Sequence, residues 1–148
     1  MAKIIKHLTV TPTITAGAYS ANDNVGGLLK FKDPDIDGQG TIVGIAVGDA
    51  AKQDAATDIV FFSSDPSAST FTNNAAQAIA DADLPKIVHV ENITAYDDFS
   101  DNSVATVSSI STKVDFTEGI YAALVTRGTP TYVATSDLDI TITVEFEE

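Results

Sequence analysis

Leu138-Asp139-Ile140-Thr141-Ile142-Thr143-Val144-Glu145-Phe146 alternates apolar and polar residues without a break. In an extended chain successive side chains point to opposite faces, so this period of two puts Leu138, Ile140, Ile142, Val144 and Phe146 on a core and the rest in water. Shorter stretches of the same kind, rich in β-branched and aromatic residues, lie at 4–10, 27–32, 41–47, 58–63 and 87–93, with further ones at 112–116 and 120–126. The run Ile120-Tyr121-Ala122-Ala123-Leu124-Val125 is apolar throughout, with the length and composition of a buried sandwich strand rather than a partner-binding helix. Turn formers separate these stretches at 21–24, 33–38, 64–67 and 127–130. The spacing predicts an all-β domain of two antiparallel sheets packed face to face, a jelly-roll-like β-sandwich. One segment departs from the pattern. Residues 73–83 string together helix formers after the capping types Thr72 and Asn73, and predict a short helix that ends before Pro85.

The chain has 148 residues and a mass of 15.5 kDa, the size of one domain, and residues 1–148 are read as one. Its 44% hydrophobic content and mean hydropathy of +0.11 suit a packed core. With 21 acidic residues against 8 basic ones the formal charge is −13, a field that repels phosphate backbones and anionic lipid, so neither nucleic acid nor membrane is an expected partner. The absence of cysteine excludes disulfides, thiolate zinc sites and cysteine nucleophiles. The first ten residues lack the apolar core of a secretory signal, and no stretch approaches the ~20 apolar residues of a helical span. A protein made in the cytoplasm is expected.

Few residues offer chemistry. His7 and His89 each sit in an expected strand, without a Gly-x-Ser-x-Gly elbow to supply a nucleophile. Val25-Gly26-Gly27 precedes a strand rather than a helix and reads as a turn or bulge, not a phosphate cradle. Asp97, Asp98 and Asp101, around Tyr96 and Phe99, read as a solvated loop, since neighbouring carboxylates on a strand point apart and do not flank a sugar bond. Asp33, Asp35, Asp37 and Gly38 match the first half of an EF-hand loop and could converge on a calcium ion. The twelfth position is Gly44 rather than glutamate, and a polar loop between two strands is the alternative. Otherwise no cofactor and no catalytic residue is expected. Lys3, Ile4, Ile5 and Lys6 bring apolar and basic side chains together in an acidic chain, and could contact another subunit or a larger shell.

Two passages carry a resemblance. Residues 18–29, Ala-Tyr-Ser-Ala-Asn-Asp-Asn-Val-Gly-Gly-Leu-Leu, and residues 62–76, Phe-Ser-Ser-Asp-Pro-Ser-Ala-Ser-Thr-Phe-Thr-Asn-Asn-Ala-Ala, continuing through 79–87, are similar to small virion structural proteins of tailed bacteriophages, of the capsid accessory or decoration type. The resemblance covers most of the chain. It implies a non-enzymatic protein made in the host bacterial cytoplasm and carried on the virion at the capsid surface. Its implied partners are the major capsid protein and further copies of itself, trimers being common among such proteins. It supplies no catalytic residue. A glycan-binding or fibre-associated module of the virion surface or tail is the alternative, and a hydrolase ranks last.

Overall fold

The computed structural model describes residues 2–36 and 38–147. Among these residues ten strands form two antiparallel sheets: β1 (Lys3–Val10), β2 (Asn24–Phe31), β3 (Gln39–Asp49), β4 (Thr57–Phe62), β5 (Ile87–Ile93), β6 (Asp97–Asp98), β7 (Ser103–Val107), β8 (Thr112–Asp115), β9 (Ile120–Thr126) and β10 (Leu138–Glu147). One sheet has the order β1-β10-β3-β7-β6, with β8 also on β3, and the other β2-β9-β4-β5. The all-β sandwich read from the sequence is the architecture of the chain.

The alternating strand that decides the fold, β10, is central, held between β1 and β3. Its inward set meets Ile42, Ile45 and Val47 of β3 and Leu8 of β1. Opposite stand Leu29 and Phe31 of β2, Ile59 and Phe61 of β4, and Ile120, Ala122 and Leu124 of β9, all in one buried cluster. Ile42 and Ile45 are three residues apart yet share a face. The register slips between Thr143 and Val144, leaving Val43 as the extra residue of a bulge, and the alternation restarts beyond it. The expected bulge at Gly26 and Gly27 is present, where β2 gains two residues on β9. Gly26 has φ +88°, and a Cβ there would lie 2.5 Å from Pro12 Cβ, so backbone conformation and space both select glycine.

The helix expected over 73–83 is not formed. Residues 73–78 make isolated bridges to Asp23, Asn24 and Thr70 with a turn at Asn74, and the only helical turn in this region is the 3-10 helix Asp81–Lys86, with Pro85 inside it. Asn24 N–H donates to Ala75 O, Asn74 N–H to Asn24 O and Gln77 N–H to Asn22 O. Asn74 has φ +61°, outside the helical region. Helix propensity of a few tenths of a kcal/mol per residue yields to such tertiary pairing. The whole excursion, residues 63–86, folds over the outer face of the four-stranded sheet. Phe71, Ile79 and Ile87 pack there on Val60, Phe62 and Ala123, with the Phe62 and Phe71 rings edge to face at 5.8 Å. This cover explains why β4 and β9 are apolar without alternation: both faces are buried.

Candidate interaction surface

β1 and β2 are edge strands of their sheets and lie side by side, so one flank of the sandwich carries one edge of each sheet. Register on β10 assigns the faces of β1. Ile4, Lys6, Leu8 and Val10 lie opposite the core-facing residues of β10, and Lys3, Ile5, His7 and Thr9 point outward. Ile4 is half-buried against the core, whereas Ile5 is 59% exposed. Lys3 is 2.7 Å from Glu145, His7 Nδ1 is 2.9 Å from Thr143 Oγ1, the Thr9 and Thr141 hydroxyls are 2.8 Å apart, and Thr11 donates to Asp139. These cross-strand pairs make the outer face of β1 and β10 a polar ladder.

Lys6 starts on the core side but lies at the sheet edge, and its stem carries the ammonium out to Asp33 at 3.1 Å and Asp35 at 2.8 Å. The two carboxylates expected to converge on calcium thus converge on a lysine. The third, Asp37, lies outside the described residues. Among the described residues no three His, Cys, Asp or Glu side chains are placed to hold a metal ion. The hydrogen bonds to Asp35 and Asp33 raise the Lys6 amine above its ordinary range. Asp33 is held below the usual carboxylate range, first by the Asp35 N–H and then by Lys6. The two sets singled out in the sequence, 3–6 and the acidic loop, form one spot.

Between β1 and β2 opens a cleft of about 260 Å³, with buried Leu8 and Phe31 at its floor and His7, Lys30 and Lys32 at its rim. A larger hollow of about 520 Å³ lies nearby between Lys3, Thr41, Lys113, Glu145 and Glu147, with charges of both signs. Lys30 stands over the Tyr121 ring at 5.2 Å from its centroid, and Lys32 donates to the Thr117 carbonyl.

The opposite flank is acidic. Asp97 and Asp98, expected in a loop, begin the β6–β7 hairpin, whose turn is closed by Phe99 N–H donating to Asn102 O and pinned by Lys52 Nζ on Phe99 O. Asp97, Asp98 and Asp101 are exposed, and the Phe99 ring is 59% exposed among them. Asp98 is held above the usual carboxylate range, first by its hydrogen bond with Asp54 and then by desolvation. Behind the hairpin Tyr96 donates to Ala55 O, and burial pushes its hydroxyl up to about 12. His89, on this same flank, pairs with Glu91 at 2.9 Å and packs on Phe61.

A polar junction that the sequence did not announce joins two distant segments. Asn73 Oδ1 accepts from the Tyr19 hydroxyl and the Gly26 N–H, its amide donates to Thr15 Oγ1, and Asn24 donates to Gln77 Oε1. The only signal for it was the cluster of asparagines at 22–24 and 73–74, which reads equally as turn and cap chemistry. No family model matches the chain, and no curated protein matches it.

Proposed function

We propose that this chain is a non-enzymatic structural protein of a tailed-bacteriophage virion, a capsid decoration or auxiliary protein that docks on the shell of the major capsid protein. The observation that carries the reading is the resemblance in residues 18–29 and 62–87, together with their place in the fold. Tyr19 and Gly26 of the first passage bond Asn73 of the second, so the shared residues fasten the 63–86 cover to its sheet. A pattern that sets architecture rather than a reactive centre suits a particle component.

Strand order supports a jelly roll as the form of the sandwich. With β7 and β8 taken as halves of one strand broken at 108–111, and two-residue β6 set aside, the eight strands in chain order make sheets 1-8-3-6 and 2-7-4-5. Two four-stranded sheets of interlocked Greek keys are a jelly roll, an architecture of viral shells and of lectins. Lectins keep the glycan-binding alternative in view, but the loop that motivated a calcium-dependent form has Asp33 and Asp35 on Lys6. The protein works as a homo-oligomer, a trimer being the expectation from the resemblance, and repeated modest contacts hold it on the capsid. It is made in the host cytoplasm and ends on the capsid surface.

Quantitative mass spectrometry of purified virions tests this. Copies in a fixed high ratio to the major capsid protein support decoration. A few copies per particle place the protein in tail or fibre, and its absence removes the virion reading.

A further inference from the structure

The two flanks of the sandwich differ in charge and in shape. Phe99 projects from the acidic flank on a closed turn, ringed by Asp97, Asp98 and Asp101. The cleft on the other flank offers the converse charge, Lys30 and Lys32 above Leu8 and Phe31, whose side chains are already buried. Among the described residues neither lysine is in an ion pair; Lys32 donates to the Thr117 carbonyl and Lys30 lies over the Tyr121 ring. Four strand spacings separate β1 from β6 in the same sheet, about 19 Å at ~4.8 Å each, so one copy cannot fill its own cleft.

From this complementarity we infer that copies of the chain associate head to tail, the Phe99 turn of one seating in the β1–β2 cleft of the next, with its aspartates on Lys30 and Lys32. A net charge of −13 makes copies repel over most of their surface, which confines contact to a place where opposite charges meet. The cleft is large enough for one aromatic ring, and the Lys52 and Asn102 bonds hold the turn in shape before binding, which lowers the ordering cost. A contact between two different patches is heterologous. It closes into a ring if the rotation between copies allows, and otherwise continues as a filament.

The inference rests on the self-association in the proposed function and not on the particle, so the test uses the isolated protein and its failure leaves the virion assignment standing. Sedimentation velocity of the full chain compares wild type, Phe99→Ser, and Lys30→Glu with Lys32→Glu. Wild type is expected to form species larger than a monomer at about 100 µM in low salt and to lose them in high salt. Each variant alone is expected to sediment as a monomer, its self-association weakened at least about tenfold, as for loss of an interface anchor. Their equimolar mixture is the decisive sample. The serine variant keeps an intact cleft and the glutamate variant an intact turn, so the mixture gives a one-to-one dimer and nothing larger. Circular dichroism matching wild type establishes that both variants fold, and Asp97→Lys with Asp101→Lys, which leaves Phe99 in place, is expected to regain assembly with the glutamate variant. A monomeric wild type, as expected if the cleft takes only an acidic segment of another protein, overturns the inference. So does assembly that Phe99→Ser leaves unchanged, or a mixture that stays monomeric.

Discussion

Lys6 occupies a position whose register faces the core, yet its ammonium ends between Asp33 and Asp35 at the rim of the sandwich. The pairing fixes a pH window. The raised amine contributes its full stabilisation below the ordinary lysine value of 10.5, and the contribution is lost as pH rises through the folded value above it. The lowered Asp33 carboxyl contributes fully above 3.8, and its share is lost as pH falls through the folded value below that. Lys6→Gln is therefore expected to lower Tm by a small amount at neutral pH, because exposed pairs are screened, and to converge with wild type at both extremes. A difference constant across pH would show that the aliphatic stem, not the charge, does the stabilising. Asp98 has the opposite sign. Its raised carboxyl prefers the proton in the fold, so stability rises as pH falls through the folded value towards 3.8. Asp98→Asn keeps a hydrogen-bond donor towards Asp54 and is expected to raise Tm at neutral pH, with no gain below that range. A lower Tm at neutral pH would contradict this. Neither partnership was legible in the sequence, because Lys6 and Asp33, like Asp54 and Asp98, meet only through the sheets. Gly26 was legible as a turn or bulge, since glycine pairs mark positive φ, but not the contact with Pro12 that fixes it.

Elements divide the same way. The strand with clean alternation, β10, is legible directly, and so is β9, whose unbroken apolar run implies that it is covered. What supplies that cover was misread, because the alanines of 75–82 favour a helix locally while Asn73 and Gln77 are held by Tyr19, Gly26 and Asn24. Strand β7 went unread because Ser103–Val107 is short and follows a run of aspartates that signals a loop. The cover is secured at its far end by Asp83, fully buried, whose Oδ2 accepts from the Ser69 hydroxyl at 2.6 Å while Lys86 stands 3.0 Å from Oδ1. The Ser69 bond is the first cause of the lowered Asp83 carboxyl, ahead of Lys86. Because the cover lies outside a complete sandwich, loosening it should leave the inner core intact. Phe71→Ala, removing the ring that meets Phe62, is expected to cost about 2–4 kcal/mol, less than a fully buried phenylalanine. In urea the midpoint falls and the slope stays nearly constant, with new binding of a hydrophobic dye. An unchanged midpoint would mean that the excursion does not stabilise the sheet beneath it.

At the level of the whole molecule, chain order and space are far apart. The strand whose pattern decides the fold is the last of the ten, yet it lies second in its sheet, pairing β1 on one side and β3 on the other. Apolar alternation could announce that β10 has a buried face, but not which strands flank it, since pairing partners leave no mark on a strand's own period. Until β10 arrives, β1 has no partner in its sheet and β3 exposes a long edge carrying Ile42, Ile45 and Val47, the kind of edge that templates aggregation. Most connections also cross from one sheet to the other, so few native contacts are local. Folding dominated by such long-range pairing is slow, on the order of milliseconds to seconds. Refolding from urea is accordingly expected in that range. A chain ending at Asp137 should give no cooperative thermal transition and should aggregate on dilution from denaturant, even though nine of the ten strands remain. A cooperative, soluble 1–137 would mean that β1 and β3 find another arrangement, and that β10 completes the six-stranded sheet without being required to hold it together.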